Sequence, residues 1–85
     1  MQFDPRRPKW QQIADVVRAR ISSGEYPPHF LISEVQLARE FDVNRDTIRK
    51  MTQALRDAGL ISTTPGMGSF VEEQPKPASE GESAG

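Results

Sequence analysis

"SEVQLAREFDVNRDTIRKMTQALRDAGLI", residues 33–61, contains two helix starts and one helix end in close succession. Ser33 is a good N-cap, and Gln36 three residues later completes a capping-box pattern. Ile32 before the cap and Leu37 inside the helix are spaced as a hydrophobic staple. This helix is expected to be short, ending near Phe41, because Asp42–Asn44 is a polar break. Asn44 then caps a further helix in the same manner, with Val43 and Ile48 as its staple. Its inner face is Ile48, Met51, Thr52 and Leu55. Gly59 suits the left-handed position after its end, with Leu60 folding back on Leu55, so the helix spans about Arg45 to Ala58. Two helices joined by so short a break cross at a sharp angle and need a small residue at the approach, which Ala38 supplies. They also need a shared apolar core, for which Leu37, Phe41, Val43, Ile48 and Met51 are available. Asp42 stands where such turns usually carry Gly; Asp tolerates left-handed backbone better than most residues.

Working outward, an earlier helix is expected from about Lys9 to Ser23. Ile13, Val17 and Ile21 recur every four residues, Trp10 and Ala14 extend the stripe, and Gly24 suits its end. Pro27 and Pro28 exclude helix interior, and a short extended piece at Phe30–Ile32 follows. On the other side, Leu60–Thr64 and Ser69–Val71 read as strands joined by a turn at Pro65–Gly68. The order is helix, short strand, two helices joined by a tight turn, then a hairpin. It is that of a winged helix-turn-helix, mainly α with a small antiparallel β wing, occupying residues 1–71.

Size and charge agree with a binding module. A chain of 85 residues forms one small domain at most, too small for a large enzyme pocket. It has no Cys, which excludes disulfides and thiolate metal sites. No apolar stretch follows the basic residues of "MQFDPRRPKW", so no secretory signal is visible, and no run approaches a membrane span. The formal net charge of −1 averages two unlike regions. Residues 1–71 hold ten Lys/Arg against eight Asp/Glu, a charge of +2. Residues 72–85, "EEQPKPASEGESAG", hold Lys76 against four Glu, a charge of −3, and lack large apolar residues; a disordered acidic tail or linker is expected there.

At about 100° per residue, Arg45, Arg49 and Arg56 fall within about 40° of one another on the outward face of the last helix. Three guanidinium groups in a line suit guanine edges or phosphates. The competing reading is ordinary solvated charge, and the neighbouring motif spacing favours nucleic acid. Asp46 lies off that line, where the helix dipole favours an acid and Lys50 is an i, i+4 partner. "PGMGS" (65–69) lacks the third Gly and the following helix of a nucleotide loop; Gly66 and Gly68 instead suit a hairpin tip lying close to another molecule. His29, the only His, has no evident Ser or Cys partner, and Glu72–Glu73 has no pocket. No catalytic, cofactor or metal site is expected, and the chain does not read as an enzyme.

With those pieces in place, residues 8–71 resemble the N-terminal DNA-binding domain of the GntR family of bacterial transcription regulators. "PKWQQIADVVRARISSGEYPP" resembles that family's first helix and loop, "LISEVQLAREFDVNRDTIRKMTQALRDAGLI" its helix-turn-helix, and "PGMGSFV" its wing. The resemblance implies a cytoplasmic bacterial regulator, usually a repressor, that binds a palindromic double-stranded operator as a homodimer. It implies DNA contacts at Arg45, Thr47 and Arg49 and at the wing tip, Gly66, with Ser33 and Asn44 as phosphate or capping positions. Departures from the family pattern are Ile32 for a common Pro, and His29 and Asp42 each for a common Gly. "STTPGMG" also lacks the basic residue often found on the approach to the wing. Members normally continue into an effector-binding, dimerising domain, of which these residues contain nothing.

The rival from another class is a winged-helix module that docks a protein partner and has no DNA specificity. One outcome follows from the charge division alone. If the acidic tail competes with DNA for the basic face, deleting residues 72–85 tightens binding to duplex DNA in a low-salt gel-shift titration. Unchanged affinity disposes of that competition.

Overall fold

The computed structural model describes residues 2–73. The expected tail lies outside the described residues from position 74 onward. Three helices and three strands follow in the expected order: α1 (Lys9–Ser23), β1 (Leu31–Ile32), α2 (Glu34–Phe41), α3 (Arg45–Asp57), β2 (Ile61–Thr64) and β3 (Gly68–Val71). The fold is a winged helix-turn-helix.

Helices α2 and α3 form for the local reasons visible in their sequences. The Ser33 hydroxyl accepts from the Gln36 N–H at 3.2 Å, and Asn44 Oδ1 accepts from the Thr47 N–H at 3.0 Å. Each satisfies a donor that the first turn of a helix leaves open. Both helices also end in the same pair of hydrogen bonds. At the end of α3, Gly59 N–H donates to Arg56 O and Leu60 N–H to Leu55 O, both at 2.9 Å. At the end of α2, Asp42 N–H donates to Arg39 O at 3.3 Å and Val43 N–H to Ala38 O at 3.0 Å. This ending requires one left-handed residue. Gly59 supplies it at φ 78°, and Asp42 supplies it at φ 55°. His29, in the loop before β1, is the second non-Gly residue with positive φ (71°), and its N–H donates to Val71 O at 2.8 Å.

Apolar faces of the three helices close on one core. Ile13, Val17, Ile48, Met51, Leu55 and Val71 are fully or almost fully buried, joined by Ile32, Leu37, Phe41 and Ile61. Thr52 is buried among them, its hydroxyl 3.0 Å from Arg49 O and 3.3 Å from Glu34 Oε2. Its single proton serves one acceptor at a time. The extended piece before α2 proves to be a strand of the wing. β1 pairs antiparallel with β3 (Leu31↔Phe70, Ile32↔Ser69), and β3 pairs with β2, giving the sheet order β1-β3-β2. Glu72 N–H donates to Leu60 O at 2.9 Å, carrying the pairing one residue past Val71.

Two polar ties brace α1. Gln12, buried, exchanges hydrogen bonds with the Asp4 backbone (2.9 and 2.8 Å) and donates to Arg7 O (3.0 Å), which pins the segment before the helix. Phe3 then rests against Phe41, ring centroids 6.5 Å apart. Arg20 reaches from α1 to Glu40 of α2 through two nitrogens, donates to the Tyr26 hydroxyl at 2.8 Å and lies over the Tyr26 and Phe41 rings. The guanidinium holds the Glu40 carboxyl below its usual range, and the carboxylate raises Arg20 in turn. The tie is therefore complete above the ordinary carboxylate range and is lost as pH falls through the lowered Glu40 value.

Left-handed backbone costs an L-residue about 1–2 kcal/mol, and Gly forgoes about 0.5–1 of that through its greater freedom when unfolded. Asp42→Gly and His29→Gly are therefore each expected to stabilise the domain by about 0.5–1 kcal/mol, raising Tm by about 2–8 °C. Thermal unfolding by circular dichroism measures this, and an unchanged or lower Tm shows that the side chains compensate for the strain.

Candidate nucleic-acid interface

Helix α3 presents its N-terminal half to solvent beside the start of α2 and the wing. Arg45 and Arg49 are 58% and 62% exposed at the side chain, the degree of access a base- or phosphate-reading residue needs. Ser33, Arg45, Arg56 and Gly68 line one notch between α2, α3 and the wing, about 340 Å³ in volume, together with Glu34 and Thr63. Arg49 and Arg56 line the adjoining groove with Trp10 and Lys50. The three arginines thus stand side by side across two neighbouring depressions, as their angular positions required.

Each is occupied within the protein. Arg45 Nη2 lies 3.9 Å from Glu34 Oε1. Arg49 Nη1 donates to Asp46 Oδ1 at 3.1 Å. Lys50 is an available i, i+4 partner for Asp46, and the contact formed is the i, i+3 one with Arg49, whose planar guanidinium can bond back along the helix to a first-turn acid. Arg56 donates to Thr63 Oγ1 and to Gln53 Oε1, both at 2.8 Å, which commits it to the wing and to its own helix. The Arg49–Asp46 pair, exposed on both sides, contributes about 0–1 kcal/mol, and Arg45 stands beyond hydrogen-bond distance of the part-buried Glu34. A phosphate or a guanine edge can therefore replace Glu34 and Asp46 at small cost.

The remaining expected residues divide by what their own atoms do. Thr47, half-buried, directs its hydroxyl to Asn44 Oδ1 at 3.3 Å, within the helix start. Asn44 caps through Oδ1, so its amide NH₂ is the end it can offer to an outside acceptor. Gly66 sits at the exposed tip of the turn between β2 and β3. Gly68, at φ 115°, answers first to the fold, since a Cβ there would lie 3.1 Å from Leu31 Cδ1. The structure adds Glu34, Thr63 and Ser69 to the site. Glu34 was legible only as a first-turn acid of α2, and its place beside Arg45 comes from the crossing of α2 over α3. Thr63 and Ser69 read only as alternating strand residues. Among the described residues no group of acidic, His or Cys side chains could hold a metal ion, and no helix is long and apolar enough to cross a membrane.

Losing the cap at Asn44 should lower stability without touching the core. Asn44→Ala is expected to cost about 1 kcal/mol in urea unfolding, with the m-value unchanged. A cost near zero would show that Thr47 and Ile48 hold the start of α3 unaided.

Comparison with known proteins places this geometry. Residues 9–71 match the family described as "Bacterial regulatory proteins, gntR family". The chain is 41% identical over 66 residues to an uncharacterised HTH-type transcriptional regulator of Rhizobium meliloti, covering 76% of this chain and 27% of that protein. It is 35% identical over 69 residues to the mannosyl-D-glycerate transport/metabolism system repressor of Escherichia coli, covering 80% and 29%. The chain thus spans less than a third of the length of these curated relatives. Among solved structures, the DNA-binding domain of AraR in complex with operator ORX1 superposes with a TM-score of 0.76 at 32% identity, covering 84% of this chain and 92% of that one. With the match running over residues 9–71, from α1 through the helix-turn-helix to the end of the wing, this chain belongs to the gntR family of bacterial regulatory proteins.

Proposed function

We propose that this domain binds a specific operator in double-stranded DNA and serves a bacterial transcriptional regulator acting as a repressor. The observation that carries the reading is the exposure of Arg45 and Arg49 on the first turns of α3, beside the capped start of α2 and the wing. An α-helix fits the major groove, and its N-terminal residues then meet base edges. Arg45 and Arg49 are the base readers. Thr47 and Asn44 lie against the backbone at the helix start, and Ser33 and the first turn of α2 face a phosphate. Gly66, with Gly68 behind it, brings the wing to the minor groove. Similarity to a domain solved with its operator, and to a named repressor, supports this reading.

A charge of +2 over residues 1–71 gives one copy only modest affinity, with a salt dependence set by the phosphates it neutralises. Tight occupancy then calls for two copies on a palindromic site, with half-sites about 34 Å apart or a multiple of that. The homodimer forms on DNA or through further chain of the kind the longer relatives carry. Repression follows from occupancy of the operator, and the working compartment is the cytoplasm.

Selection from a random-core duplex library tests this directly. Wild-type protein is expected to enrich a common half-site sequence. Against that sequence, Arg45→Ala and Arg49→Ala each weaken binding by about ten- to a hundredfold, with Tm unchanged because both side chains are exposed. Should selection enrich nothing, or both variants bind as wild type, the protein-docking role replaces this one.

A further inference from the structure

Arg56 lines both depressions of the interface, yet its guanidinium is bonded within the protein. It leaves the last turn of α3, bonds Gln53 one turn back, and donates across to Thr63 on β2 at 2.8 Å. Thr63 Oγ1 in turn lies 2.9 Å from Ser69 Oγ on β3. Thr63 and Ser69 are direct cross-strand partners, and the next pair outward, Thr64↔Gly68, closes on the turn that bears Gly66. Ser69 is buried, so the far end of this chain of bonds is anchored in the body of the domain. The bonds therefore run from the reading helix across both wing strands, one residue pair below the tip.

From this geometry we propose that Arg56 is a positioning residue: it sets the wing against α3 through Thr63 and Ser69 and does not itself contact DNA. Ile61 and Val71 hold the base of the hairpin in the core and β1 pairs with β3 as far out as Ser69, which leaves the exposed outer end, from Thr63 and Thr64 to the turn, as the part of the wing the core does not restrain. A side chain bridging α3 to the middle of the hairpin restrains that end directly. Arg56 is suited to the task because its planar fork donates in two directions at once, one along α3 and one to the wing. Thr63, exposed on β2, is thereby an acceptor in the same device. The consequence for recognition rests on the DNA-binding role proposed above, whereas the restraint itself belongs to the free protein.

The experiment has an arm for each. In the free protein, ¹⁵N relaxation of Gly66, Met67 and Gly68 is compared for wild type, Arg56→Met and Thr63→Val, with circular dichroism showing each variant folded. Order parameters at the tip are expected to fall in both variants and to the same extent in the double variant. Unchanged order in either single variant overturns the proposal, whatever the DNA result. On a duplex from the selection above, both single variants are expected to weaken binding by about three- to tenfold, non-additively in the double variant. The dependence of affinity on salt should keep its wild-type slope, and minor-groove protection under the wing should be lost while major-groove protection remains. A salt slope reduced by about one in Arg56→Met, with Thr63→Val binding as wild type, makes Arg56 a phosphate contact and overturns the positioning role. If no duplex is selected, the DNA-binding reading fails alone and the relaxation data still decide the restraint.

Discussion

Helix α2 has to end and α3 has to begin within three residues, and the left-handed turn at Asp42 is what permits it. With φ at 55°, the chain reverses tightly enough for Val43 N–H to reach back to Ala38 O. Val43 then lies at the edge of the core, and Asn44 is free to adopt the extended backbone of an N-cap. Every later feature depends on that reversal. The crossing of α2 and α3 buries Leu37 and Phe41 with Ile48, Met51 and Leu55, and it sets Glu34 beside Arg45. A residue that could not enter the left-handed region would lengthen the turn, and the exposed face of α3 would no longer stand beside Ser33.

The balance of charge on that face follows from the same crossing. A mildly basic domain carries the exposed arginines of α3 next to acids of its own, Glu34 from the neighbouring helix and Asp46 from the same one. Solvent-exposed pairs are weak, so they orient the guanidinium groups without holding them against a stronger anion. The acids also reduce attraction to DNA of arbitrary sequence, which depends chiefly on net positive charge. Buried or braced charges serve a different end. Arg20, shared between Glu40, Tyr26 and the Phe41 ring, fastens α1 to α2 and is no part of the notch lining.

Much of the fold was legible because it is locally encoded. Caps at Ser33 and Asn44, the reversal at Gly59 and the four-residue spacing of Ile13, Val17 and Ile21 depend on neighbours within one or two turns. The bounds of α1 were accordingly read to the residue, and α3 was read to within one. The two positions where the family commonly has Gly, His29 and Asp42, were visible as departures. Positive φ at both, 71° and 55°, is the left-handed region that Gly enters without strain. Long-range pairings were not legible. Nothing near Leu31 and Ile32 says that they join the wing sheet through β3, and nothing near Gln12 says that it fills its amide with Asp4 and Arg7.

Site residues divide along the same line. Helical periodicity by itself put Arg45, Arg49 and Arg56 on one face, because 100° per residue is a local rule. The sequence also determined the helix starts, the turn and the fold class. Which partner each of those arginines meets was decided only in the tertiary structure. Asp46 could choose between Arg49 and Lys50, and Arg56 could reach Thr63 only once the Gly59 reversal had brought β2 back alongside α3. The physical reason is that a cap or a helical face is settled by bonds a few residues long. A side chain's partner, by contrast, is settled by whatever the packed core brings within 3 Å of its end.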